Sequence, residues 1–177
     1  MTTVYVNDRE CEVEESLSVL DATRQAGIQL PTLCKMENHP ATGACRLCVV
    51  EVEGARTLQA ACATPVRHGM KIQTQTRRVR EARKTLVELL LSEHCGECQT
   101  CVRNGDCELQ DIAREMGIRE IRYSGERGPN GMDDSTPALI RDGGKCIKCR
   151  RCVTVCGEVQ GVGALYPQGR GFSSRIG

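Results

Sequence analysis

Aromatic side chains are almost missing from this chain of 177 residues. Tyr5, Tyr123, Tyr166 and Phe172 are the whole set, and there is no tryptophan. The side chains that bury the most area each are therefore scarce, so an aromatic-rich core is excluded. Long apolar runs are missing too. Leu-Val-Glu-Leu-Leu-Leu at 86–91 falls far short of the ~20 residues that span a bilayer, so no direct membrane insertion is expected. The N-terminus, Met-Thr-Thr-Val-Tyr-Val-Asn-Asp, has no basic flank followed by an apolar stretch. A secretory signal is therefore not expected, and the chain reads as cytoplasmic. Excess charge of one sign is also lacking: the net charge is +1. One basic stretch exists, with Arg67, Lys71, Arg77, Arg78, Arg80, Arg83 and Lys84. It has no interleaved aromatics to stack on bases and reads as a solvated helix face, so no nucleic-acid partner is expected. Neither a Gly-x-Gly-x-x-Gly nucleotide loop nor a Cys-x3-Cys-x2-Cys radical motif occurs.

Cysteine is what the chain has in quantity. There are 13, an odd number that disulfides cannot pair completely. Cytoplasmic thiols are kept reduced, and clustered thiols there read as ligands for soft metals. Three constellations stand out. The first is Cys34-x10-Cys45-x2-Cys48-x13-Cys62. Its order matches plant-type [2Fe–2S] spacing with a longer first gap. A structural zinc site usually takes two close pairs, and this set has one. The second is His94-x3-Cys98-x2-Cys101-x5-Cys107, but Cys95 makes an alternative four-cysteine set with the same partners. Spacing cannot separate the two, because His94 and Cys95 are neighbours. The third is Cys146-x2-Cys149-x2-Cys152-x3-Cys156, the bacterial [4Fe–4S] run without its usual proline. In two-cluster ferredoxins the fourth cysteine of such a run serves the other cluster. Cys156 therefore either completes this set or belongs to a second cluster beyond Gly177. Cys11 is left over as a small buried hydrophobe in a strand.

The intervening sequence predicts an α+β chain in three segments. In residues 1–76, Thr3–Val6 and Cys11–Glu14 flank an Asn7-Asp8 turn and read as a hairpin. Ser16 or Ser18 caps a helix that Gly27 stops. Further strands are expected at 47–52 and 70–74. In residues 77–123, the spacing of Val79, Ala82, Leu86, Leu89 and Leu90 predicts an amphipathic helix over 78–91. A shorter helix over 108–116 follows the cysteine loop. Residues 124–137, rich in Gly, Pro, Asn and Ser, read as a linker or long surface loop. Residues 138–177 carry the last cysteine run and end with no strand partner in view.

The order of these motifs resembles a known family. A [2Fe–2S] ferredoxin-like segment precedes Glu-Leu-Leu-Leu-Ser-Glu-His94, then Cys98, Cys101, Asn104-Gly105-Asp106-Cys107-Glu-Leu-Gln, and finally Cys146-Ile-Lys-Cys-Arg-Arg-Cys-Val. This is similar to the N-terminal iron–sulfur region shared by three groups. They are the G-type iron–sulfur subunit of respiratory complex I, small subunits of NAD-reducing hydrogenases, and catalytic subunits of multimeric [FeFe] hydrogenases and NAD-linked formate dehydrogenases. Cys149-Arg-Arg-Cys-Val-Thr-Val-Cys156 with Gln160-Gly-Val-Gly and Arg170-Gly-Phe most resembles the [FeFe] hydrogenase and formate dehydrogenase branch. The resemblance implies a β-grasp [2Fe–2S] ferredoxin domain and a small helical [4Fe–4S] domain. It implies His94, Cys98, Cys101 and Cys107 as ligands, with Cys95 spare. A partial bacterial-ferredoxin-like [4Fe–4S] segment completes the set. Family members run on past the position of Gly177, so the chain reads as truncated. The implied partners are a flavin-bearing NAD(P)H-binding iron–sulfur subunit, a thioredoxin-like [2Fe–2S] subunit and a catalytic redox subunit. The expected role is a single-electron relay. The alternatives are a zinc-stapled interaction domain, and the leading part of a hydrogenase or formate dehydrogenase whose active-site domain is missing. No complete active site is found in the sequence.

Overall fold

In the first strand, Thr2, Val4 and Val6 are buried while Thr3 and Tyr5 are half-buried, the two-residue period of a pleated strand. In the computed structural model, which describes residues 1–126 and 131–177, the chain forms two units, Met1–Leu86 and Val87–Gly177. Strand β1 (Thr2–Val6) pairs antiparallel with β2 (Arg9–Val13), Thr2 opposite Val13 and Val6 opposite Arg9. Asn7 (φ 48) and Asp8 (φ 66) close this hairpin in the left-handed region. Short polar side chains tolerate that conformation, and it matches the twist of the flanking strands. Strands β3 (Val49–Val52), β4 (Gln59–Ala60) and β5 (Lys71–Gln73) complete a five-stranded sheet in the order β2-β1-β5-β3-β4. The β1–β5 pair is parallel, with Val6 opposite Ile72.

Helix α1 (Val19–Gln25) starts where Ser18 Oγ accepts the Asp21 N–H at 3.2 Å, and it ends before Gly27 at φ 76. Val19, Leu20, Ala22 and Thr23 are its buried positions. Val19, Leu20 and Ala22 join Val4, Val6, Val13, Val50, Val66 and Ile72 in one core. That core is free of aromatics, as their shortage requires. Leu20 is fully buried, so Leu20→Ala is expected to cost about 2–5 kcal/mol. Chemical denaturation followed by hydrogen exchange at β1 checks this. A loss well below 1 kcal/mol would take Leu20 out of the core.

Helix α2 (Arg77–Glu93) contains the boundary between the units. The apolar periodicity found this helix and its buried Val79 but not the rest of its buried side. Val79, Arg83, Val87 and Glu88 are the buried positions, while Leu89 is 44% exposed. Arg83 is therefore not part of a solvated basic face. It is 4% exposed, and its Nη2 donates to the Val49 carbonyl at 2.8 Å. A long aliphatic stem lets arginine occupy a buried position that its charge alone would place in solvent. Its neighbours do face water. Arg77 pairs with Glu81 at 2.6 Å and Arg78 with Glu51 at 3.3 Å. Glu88, 1% exposed, accepts from Arg122 Nε at 2.8 Å.

The second unit has little apolar core. Val87, together with Leu109 and Ile112 of α3 (Glu108–Glu115), makes up its buried hydrophobic set among the described residues. Gly117 (φ 62) ends α3. Strands β6 (Met132–Thr136) and β7 (Leu139–Asp142) form a hairpin. The stretch read as a linker or loop over 124–137 thus finishes in a strand, and its residues 127–130 lie outside the described residues. Helix α4 (Arg151–Thr154) runs into a π-helical turn, Val155–Val159. The tail does find a strand partner: β8 (Pro167–Gln168) pairs antiparallel with β9 (Arg175–Ile176). Two-residue strands leave no alternation to read, which is why the sequence hides this pair.

Candidate metal centres

In the first unit, Cys34, Cys45, Cys48 and Cys62 are all buried and all free thiols. The loop between α1 and β3 carries three of them, with Gly43 (φ 61) and Arg46 (φ 59) bending it in the left-handed region. The fourth lies in a short 3-10 turn, Ala61–Ala63, after β4. Cys45 Sγ donates to Cys34 Sγ at 3.4 Å, and the Leu33 N–H donates to Cys45 Sγ at 3.4 Å. Hydrogen bonds from Cys45 and Cys62 hold the Cys34 thiol well below its ordinary range, against the effect of burial. The Cys62 hydrogen bond lowers Cys48 to about 7. Cys62 itself, bonded to Cys34 and Cys48 and buried, is pushed up, as is Cys45. The four sulfurs therefore form one connected set, in which hydrogen bonding shifts Cys34 and Cys48 toward thiolate and Cys45 and Cys62 toward thiol. Thiolates are the form that binds soft metal.

In the second unit, His94, Cys98, Cys101 and Cys107 line one cavity of about 210 Å³, beside Ile147 and Lys145. Cys95 is not among the residues lining it. Its N–H donates to the Gly144 carbonyl at 3.1 Å, and its Sγ lies 4.0 Å from His94 Nδ1. The Gly96 N–H donates to His94 Nδ1 at 3.2 Å. Burial lowers the His94 pKa, against the pull of the Lys145 backbone and Asp142. A neutral imidazole is the form that ligates metal. Cys98 opens a 3-10 turn, Cys98–Thr100, and Cys107 stands at the start of α3. Gln110 braces the loop between them: its Nε2 donates to Asn104 Oδ1 at 3.1 Å and its Oε1 accepts the Gly105 N–H at 3.2 Å.

Cys146 and Cys152 line a second cavity of about 310 Å³ with Arg141, Asp142 and Ile176. Cys149 stands between Lys148 (φ 55) and Arg150 (φ 64), both left-handed. Burial pushes the Cys152 thiol up, and the negative charge of Cys149 and Cys146 adds to this. Cys156 does not line this cavity. It sits in the π-helical turn, where its carbonyl accepts from the Val162 and Gly163 N–H groups at 3.0 and 3.1 Å. Two ion pairs join this run to the preceding donors. Lys148 pairs with Glu93, and Arg151 grips Glu108 with Nη1 at 2.6 Å and Nη2 at 3.2 Å. Each partner is the sequence neighbour of a candidate ligand: Glu93 of His94, Glu108 of Cys107, Lys148 of Cys149, Arg151 of Cys152. Sequence reasoning passed over these four charges, although opposite signs flanking the two cysteine runs were the available signal. Among the described residues, no three His, Cys, Asp or Glu side chains are arranged to hold a single metal ion.

Residues 1–77 match a 2Fe-2S iron–sulfur cluster binding domain, and residues 83–122 match the NADH-ubiquinone oxidoreductase-G iron–sulfur binding region. The crystal structure of an NAD+-reducing [NiFe]-hydrogenase in the H2-reduced state superposes with a TM-score of 0.91 at 32% identity. The match covers 99% of this chain and 74% of that one. The chain belongs to this iron–sulfur family, which takes in the G-type subunits of complex I and NAD(P)-linked hydrogenases. Two curated members illustrate its range. The HndD component of the NADP-reducing hydrogenase of Solidesulfovibrio fructosivorans is 43% identical over 182 residues. The second G-type component of the NADH-quinone oxidoreductase of Rhizobium meliloti (strain 1021) is 36% identical over 181 residues. Both matches take in 99% of this chain, which spans 31% and 21% of those proteins. As a family member the chain is an iron–sulfur electron-transfer protein of 2Fe-2S and 4Fe-4S binding type. No helix among its described residues is long and apolar enough to cross a membrane.

Proposed function

We propose that the chain is a three-centre electron relay of a cytoplasmic NAD(P)-linked oxidoreductase complex of the hydrogenase or formate dehydrogenase type. Cys34, Cys45, Cys48 and Cys62 hold a [2Fe–2S] cluster in a β-grasp domain over 1–76. His94, Cys98, Cys101 and Cys107 hold a [4Fe–4S] cluster over 77–123. Cys146, Cys149 and Cys152 hold a further [4Fe–4S] cluster over 138–177, with Cys156 as its fourth ligand or as a ligand to another cluster. The observation that carries the reading is the first unit's four buried free thiols in mutual contact, drawn from positions 34 to 62. Such a set fits a tetrathiolate cluster, and the mixed sheet with parallel β1 and β5 fits the β-grasp. When bound, the clusters supply one-electron storage with little rearrangement, at potentials set by ligand charge and hydrogen bonding.

The chain's own residues do the rest. Buried Cys34, Cys45, Cys48 and Cys62 keep water from the first centre. The Leu33 N–H stabilises negative charge on Cys45. Neutral His94 holds one negative charge fewer at the second centre than a fourth thiolate would, which raises its potential. Glu93–Lys148 and Glu108–Arg151 tie the second and third donor loops together. The relay passes electrons between a flavin-bearing NAD(P)H-binding subunit, with a thioredoxin-like [2Fe–2S] subunit beside it, and a catalytic redox subunit. The test is reduction in a mixture. NADH is expected to bleach the visible absorption of the loaded chain only when a flavin-bearing diaphorase subunit is added. Bleaching by NADH alone, or none with the diaphorase, would contradict the relay.

A further inference from the structure

Arg83 is a buried cation for which the relay has so far given no use. It lies 4% exposed on α2, and its Nη2 donates to the carbonyl of Val49, the residue after Cys48. Its Nε is buried without a hydrogen-bond partner, and no carboxylate among the described residues pairs with it. Burial disfavours the charged guanidinium, and the negative charge of fully buried Cys48 favours it. A buried charge needs a compensating one. The negative group that acts on Arg83 is Cys48 of the cysteine set. Four thiolates around a [2Fe–2S] core leave a dianion when oxidised and a trianion after one electron is added.

We infer that Arg83 is a potential-tuning residue of the [2Fe–2S] centre, a fixed buried cation beside Cys48 that favours the reduced form. The inference rests on the ligand reading given under the proposed function. The step it influences takes up one electron, here from dithionite, and neither makes nor breaks a bond nor moves a proton. A cation fixed near the centre stabilises the trianion more than the dianion, so it raises the midpoint potential. Nothing in the sequence marks Arg83 apart from the solvated arginines around it, because its burial depends on which side of α2 faces the sheet.

The experiment is a dithionite titration of the loaded full chain, followed by EPR of the [2Fe–2S] signal. Arg83→Gln, and Arg83→Met, which keeps more of the packing volume, are expected to retain the signal with a more negative midpoint. Arg83→Lys keeps the charge and is expected to recover most of that shift. Unchanged midpoints in the Gln and Met variants would overturn the inference and leave the ligands standing. Loss of the cluster in both uncharged variants, with or without its loss in Arg83→Lys, would make Arg83 a structural residue and would also overturn it. A native chain with no [2Fe–2S] signal would instead overturn the ligand reading itself.

Discussion

Stripped of iron and sulfide, the chain is expected to lose ordered structure from Val87 onward while the sheet of the first unit persists. The two units differ in what holds them. The first has an aliphatic core running from Val4 through Leu20 and Val50 to Ile72. The second buries only Val87, Leu109 and Ile112 as apolar side chains among its described residues. Each contributes about 1.5–3 kcal/mol. Ordering the backbone costs about 1–2 kcal/mol per residue, so the second unit lacks the burial to fold by itself. Its side chains point the same way: Val102 is 94% exposed, and Met132, Ile140 and Val162 are also largely exposed. Metal binding supplies the missing free energy, so binding and folding are one transition there. Hydrogen exchange on chelated protein checks this. Amide protection over 87–177 should fall close to the unfolded level, with that of β1, β2 and α1 retained. Full protection of the second unit without metal would contradict it.

The second large effect concerns two adjacent residues. His94→Ala is expected to abolish or convert one [4Fe–4S] EPR signal, and Cys95→Ser to leave it intact. His94 lines the cavity with Cys98, Cys101 and Cys107, whereas Cys95 does not. Burial lowers the His94 pKa, which favours the neutral, ligating form of the imidazole. His94→Cys makes a sharper test. It adds a negative charge at the centre, so the midpoint of that signal should fall, by roughly 100 mV or more. The opposite pattern, with Cys95→Ser losing the signal and His94→Ala keeping it, would make the four-cysteine set the real one.

Much of the first unit was legible because local chemistry and global fold agree there. Asn7-Asp8 demanded a tight turn, Ser16 or Ser18 offered a cap, and Gly27 a stop; the turn and the stop are used as read, and Ser18 is the cap. The cysteine constellations were legible as groups because loops and turns bring spaced thiols together, as Cys45 Sγ lies 3.4 Å from Cys34 Sγ. Three features were hidden. Arg83 and Glu88 are buried charges, and hydropathy assigns their positions to solvent. The strands Met132–Thr136 and Arg175–Ile176 lie in polar or short segments with no alternation to detect. The choice between His94 and Cys95 is degenerate in spacing, whereas in the structure His94 lines the cavity with Cys98, Cys101 and Cys107 and Cys95 does not.

The proposed relay stands on iron–sulfur clusters held by the cysteines and His94. Anaerobic reconstitution of the chain, with iron and sulfide analysis and EPR on the same sample, tests it most directly. The expected result is a brown protein with about ten iron and ten sulfide atoms per chain, and one [2Fe–2S] signal beside [4Fe–4S] signals. A colourless protein holding zinc and no iron would contradict it.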